Sequence, residues 1–128
     1  MAREPIPEEL RRFILTSVPS VPFVEALLVF RDARGEAVDT GLVARRLYMG
    51  EKAAAEVVAQ LADARFIEPA EAGSPSHRFA PDSALSAMVE QLAAYYRSHL
   101  VEVTDLIHSK TSRKAQQFAD AFKWKKES

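Results

Sequence analysis

The 128-residue sequence contains no cysteine, which excludes disulfides, thiolate nucleophiles and cysteine-bound metal centres. Histidine is scarce as well: His77, His99 and His108 do not stand at a recognisable metal-ligand spacing. Glycine occurs only at positions 35, 41, 50 and 73, and no Gly-rich phosphate loop, nucleophile elbow or zinc-binding helix can be traced. No enzymatic role, cofactor or metal is therefore expected. Long hydrophobic runs are missing too. The longest apolar stretch, Val21 to Phe30, contains Glu25 and is too short to cross a bilayer. The opening residues MAREPIPEEL lack the apolar middle of a signal peptide. Cytoplasm is the expected location.

What is present is enough apolar material, 48% of the chain, for one core but not for two domains of ordinary size. The formal charge of -1 conceals a division. Residues 1–107 carry 11 Lys or Arg against 16 Asp or Glu, whereas residues 108–128 carry six against two. The basic surface a nucleic-acid ligand would favour is thus concentrated at the C-terminal end.

Pro5 and Pro7 followed by Glu8 and Glu9 suit a helix start, with Leu10, Phe13 and Ile14 on one face. The prolines of Val18-Pro19-Ser20-Val21-Pro22 interrupt that helix, and Ser20 is placed to cap a second one running to about Ala33. This second helix is apolar on most sides and belongs in the centre of a core. Asp39-Thr40 caps a third helix with Val43, Ala44 and Leu47 inward and Arg45 and Arg46 outward. Tyr48-Met49-Gly50 makes the turn into a fourth helix from Glu51, where Ala54, Val57, Val58 and Leu61 recur at helical spacing. Two short strands follow, Phe66 to Pro69 and His77 to Pro81, around a Gly/Ser/Pro loop containing Gly73. From Asp82 a long helix, free of Gly and Pro, is expected to run to about His108. A last amphipathic helix spans Arg113 to Lys126.

The stretch Asp39-Thr40-Gly41-Leu42-Val43-Ala44-Arg45-Arg46-Leu47-Tyr48-Met49-Gly50 resembles the capped helix, Ala-Arg-Arg-Leu stripe and turn of the winged helix family of bacterial transcription regulators. The MarR-like group is the most similar in layout. Ala44 is small where two helices must cross closely. Leu61 to Ile67 is similar to the family's junction between recognition helix and first wing strand, with Arg65 where glycine is common. Arg65 must take a left-handed conformation or end the helix differently. The fold expected is mainly α with a small two-stranded β wing. Residues 1–81 form the winged helix-turn-helix (motif 39–65, wing 66–81), and residues 82–128 form a C-terminal helical extension.

The resemblance implies a DNA-binding transcriptional regulator. Lys52, Ala55, Glu56 and Gln60 would then face base edges in the major groove, and Arg45, Arg46, His77 and Arg78 would hold phosphates. Glu51, Glu56 and Asp63 make the fourth helix unusually acidic beside Lys52. So few cations imply weak or dimer-dependent affinity for double-stranded DNA. A heptad seam of Leu85, Val89, Leu92, Tyr96, His99, Val103 and Leu106 is available for a homodimer, or for packing on the chain's own helices. The alternative function is a winged helix acting as a protein-interaction module without direct DNA contact. Its docking element would be the acidic front half or the basic last helix, the latter with Phe118, Phe122 and Trp124 among Lys110, Arg113, Lys114, Lys123, Lys125 and Lys126.

Overall fold

The structure, a computed structural model, describes residues 6–109. The expected last helix, Arg113 to Lys126, lies outside the described residues. Element order is α1 (Glu8–Ser17), α2 (Val21–Asp32), α3 (Thr40–Leu47), α4 (Glu51–Asp63), β1 (Ile67–Pro69), β2 (His77–Phe79) and α5 (Ser83–Ser98), with a sixth helix, α6, over 100–109. The described chain is mainly helical with one small antiparallel sheet.

Local chemistry explains most of the boundaries. Pro7 precedes α1, Glu8 and Glu9 occupy its first turn, and Val18, extended before Pro19, ends it. The Ser20 hydroxyl accepts from the Phe23 amide at 3.3 Å to open α2. Asp39 and Asp82 do the same for α3 and α5, accepting from Leu42 at 2.7 Å and Leu85 at 2.8 Å. Arg65 takes the left-handed conformation, φ 68°. The Phe66 amide then reaches the Leu61 carbonyl at 3.1 Å and the Arg65 amide reaches that of Ala62 at 3.0 Å. That pair of bonds is a Schellman ending, here built on arginine rather than glycine. Helix α3 ends in the same way at Tyr48, φ 54°, with Met49 bonded to Ala44 at 3.0 Å.

Helix α2 lies at the centre, burying Phe23, Val24, Ala26, Leu27 and Phe30, so its apolarity is used in packing. No single described helix is long and apolar enough to cross a membrane. Phe66 meets Phe13 of α1 and Phe23 of α2 edge-on, with centroids 6.0 and 5.9 Å apart, and fastens the α4–β1 junction to both helices. In the sheet, Ile67 pairs with Phe79, Glu68 with Arg78 and Pro69 with His77. Val38 adds an antiparallel bridge on the other edge of β2, exchanging bonds of 2.8 and 2.9 Å with His77. One buried cluster runs from Leu10 to Ile107, crossing the expected division at residue 81.

The long helix expected from Asp82 to His108 is corrected. It stops at Ser98, and His99 adopts φ -133° and ψ 43° before α6 begins. Neither Gly nor Pro makes the break. The His99 ring stacks on Tyr95, centroids 3.9 Å apart, and its Nδ1 is 2.8 Å from the Ser98 hydroxyl. Beyond the break Val103 and Ile107 are buried in the common core, while Leu100 and Val101 are exposed.

The seam itself packs within the chain. Val89, Leu92, Tyr96 and Val103 are buried in the single-chain core, and Leu85, His99 and Leu106 are half-buried. Of the two roles open to it, packing on the chain's own helices is the one observed. Two polar links reinforce the seating of α5 on α2. The Tyr96 hydroxyl donates to Glu25 at 2.9 Å, and burial, helped by the Glu25 carboxylate, pushes the phenol's pKa up. The Arg31 guanidinium donates to both oxygens of Glu90 at 2.7 Å.

Candidate nucleic-acid interface

Helices α3 and α4 pack on each other and on α2, joined by the turn at Tyr48, Met49 and Gly50. Alone, the eight residues of α3 would be a marginal helix. It is held by its Asp39 cap and by the burial of Val43 and Ala44. Ala54, Val57, Val58 and Leu61 anchor α4 in the core. The opposite side of α4, with Lys52, Ala53, Ala55, Glu56, Ala59, Gln60 and Asp63, is exposed, so the helix offers solvent a whole face.

All four residues expected to face bases (Lys52, Ala55, Glu56 and Gln60) are therefore on one accessible surface. Arg45 and Arg46 are exposed in the last turn of α3. Among the described residues none of Arg45, Arg46 and Lys52 is held in a salt bridge or a side-chain hydrogen bond. Arg45 does share its surroundings with acids. A Cβ built on Gly41 would stand 3.3 Å from Arg45 Nη1, 3.3 Å from Asp39 Oδ1 and 3.8 Å from Glu51 Oε1. Glycine thus leaves room where the start of α3, the Arg45 guanidinium and the start of α4 converge, and the two carboxylates partly offset the guanidinium's charge.

The sheet residues are less available. His77 is half-buried, its backbone is bonded to Val38 in both directions, and its Nδ1 is buried with no hydrogen-bond partner among the described residues. Arg78 is exposed but its guanidinium donates through Nε and Nη2 to Oε1 of Glu68 on the adjacent strand. Both side chains are about half exposed, and a pair of that kind is worth roughly 0–1 kcal/mol, little enough for a phosphate to displace the carboxylate.

Tyr48 was not singled out as a contact by sequence reasoning, yet at 96% exposure it is the most exposed large hydrophobic side chain described. Its spacing from Val43, Ala44 and Leu47 signals only that it lies at the helix end. Away from this surface, a cleft of about 550 Å³ is lined by Arg31, Asp32, Arg34, Phe79, Glu90 and Arg97. The Arg31 hydrogen bond holds the Glu90 carboxyl below its usual pKa, against a smaller desolvation cost. No group of three or more His, Asp or Glu among the described residues is placed to hold a metal ion. Comparison of the chain with protein-family models, curated proteins and solved structures returned no match.

Proposed function

We propose that the chain is a winged helix-turn-helix regulator of transcription that binds double-stranded DNA as a cytoplasmic homodimer. The observation that carries this reading is the fully solvent-facing side of α4, set beside the unpaired cations Arg45, Arg46 and Lys52 and backed by a short antiparallel sheet. A helix so mounted fits the major groove, where Gln60 suits adenine, Glu56 suits the cytosine amino group, and the arginines suit flanking phosphates. In this assignment α3 and α4 are the two helices of the motif, and β1, β2 and the loop between them are the wing.

Two copies are part of the proposal because one offers few phosphate contacts, and a two-fold assembly doubles them across two half-sites. Since the seam of α5 packs within the chain, the mate would meet other surface. Leu100 and Val101, 50% and 59% exposed just beyond the His99 break, are apolar side chains suited to it.

The acids on α4 favour a second reading. Glu51, Glu56 and Asp63 are exposed beside the single cation Lys52, a charge pattern that suits a basic protein surface better than a polyanion. Titrating a labelled duplex from upstream of the coding sequence separates the two. DNA recognition predicts that Arg45→Glu with Arg46→Glu abolishes binding and that wild-type affinity falls steeply with salt. A protein adaptor predicts no shift by the folded chain even at low salt, and loss of its partner when Glu51, Glu56 and Asp63 are replaced by lysine.

A further inference from the structure

Tyr48 stands in the left-handed region at φ 54° and ψ 47°, where a side chain with a Cβ is strained and glycine is not. Burial gives nothing back, since 96% of the residue is exposed. The left-handed backbone belongs to the helix ending that Arg65 shares, but the fold makes almost no use of the aromatic ring carried there. Its neighbours do pack. Leu47 and Met49 are half-buried and, with Val21, Pro22, Glu25, Arg46 and the edge of Tyr48 itself, line an open groove of about 440 Å³ beside the turn. The Met49 amide closes on the Ala44 carbonyl at 3.0 Å, so the turn is pinned on both sides of the one residue it holds out. That residue lies between Arg45 and Arg46, at the end of α3, and Lys52, in the first turn of α4.

From this we infer that Tyr48 is a DNA-backbone contact, its ring packed on a deoxyribose and its hydroxyl donating to a phosphate oxygen. The inference rests on the DNA-binding reading and adds a residue to it. Tyrosine is one of the side chains that bond phosphate and sugar. A neutral donor also suits this surface. Asp39 and Glu51 partly offset Arg45, and a phenol binds a phosphate without adding another cation for those acids to compete for. Contacts of this kind fix register on the duplex and carry no sequence information.

The test uses the full chain, the labelled duplex from upstream of its coding sequence, and the variants Tyr48→Asn and Tyr48→Phe. Asparagine tolerates the left-handed conformation, so Tyr48→Asn is expected to melt at the wild-type temperature or a few degrees above it. Its affinity is expected to fall by about tenfold, with the slope of log affinity against log salt unchanged because no charge is lost. Tyr48→Phe, keeping the ring and losing the hydroxyl, is expected to lose about threefold. Tyr48→Asn binding within twofold of wild type would overturn the inference and leave DNA recognition standing. A lower melting temperature for Tyr48→Asn, or a salt slope reduced as if a cation had been removed, would also overturn it. Failure of the folded wild-type chain to bind the duplex would overturn DNA recognition itself, and this contact with it.

Discussion

Phe66 joins the end of α4 to the first strand, and its removal should test how that junction is held. The ring is 1% exposed and meets the edges or faces of Phe13 and Phe23 at near-perpendicular angles of 78° and 82°. Phe66→Ala loses both the transfer free energy of the ring and the contacts around the resulting cavity, together about 3–5 kcal/mol. Against a total stability of roughly 5–15 kcal/mol, that loss removes between about a fifth and the whole of it. Phe66→Leu separates the contributions. It retains most of the apolar volume and loses chiefly the two edge-to-face pairs, each worth about 0.5–1.5 kcal/mol, so it should cost about 1–3 kcal/mol. The assay is urea unfolding followed by far-UV circular dichroism, with the slope m fitted separately for each variant. An alanine variant less stable by under about 1 kcal/mol at unchanged m would refute the placement of Phe66 between α1 and α2.

Arg65→Gly should stabilise the chain by up to about 1 kcal/mol, because glycine relieves the left-handed strain while its freedom in the unfolded chain takes back part of the gain. Denaturant midpoints of the two proteins check this, and a destabilised glycine variant would contradict the Schellman ending at Arg65. Glu90→Gln should show a difference that depends on pH. The Glu90 carboxyl is held below its ordinary pKa in the fold, so its contribution is present at neutral pH and is lost as pH falls through the folded value. Wild type should therefore be the more stable above the carboxylate range, by less than about 1 kcal/mol for so exposed a pair, with the two proteins converging in acid. Melting curves from pH 7 down to about pH 3 would show it, and a gap that widens in acid would contradict the Arg31–Glu90 pairing.

The helix starts were legible in the sequence because they depend on local chemistry. Ser20, Asp39 and Asp82 each accept the amide three residues on, as their position before an apolar pattern implies. The inward face of α4 was equally plain in the spacing of Ala54, Val57, Val58 and Leu61. The break at His99 was not legible, since no residue there forbids helix; the burial of Val103 and Ile107 in the common core is tertiary, and the local stacking of His99 on Tyr95 has no sequence signature. Val38 gave no strand signal because a single bridged residue has no alternation to read. In the candidate interface, the sequence located Arg45, Arg46 and the exposed face of α4 but could not reveal that Glu68 holds Arg78 or that His77 is half-buried. Both depend on the register of the sheet. Nor does a turn pattern reveal which of its side chains is held out into solvent, as Tyr48 is.

The most direct measurement of DNA recognition is amide chemical-shift mapping of the isotopically labelled chain, titrated with the duplex from upstream of its coding sequence. Recognition through α4 predicts shifts concentrated at Lys52, Ala55, Glu56 and Gln60 and around Arg45, Arg46 and Tyr48, with α5 and α1 little changed. Shifts absent at saturating duplex, or gathered away from α3 and α4, would contradict it.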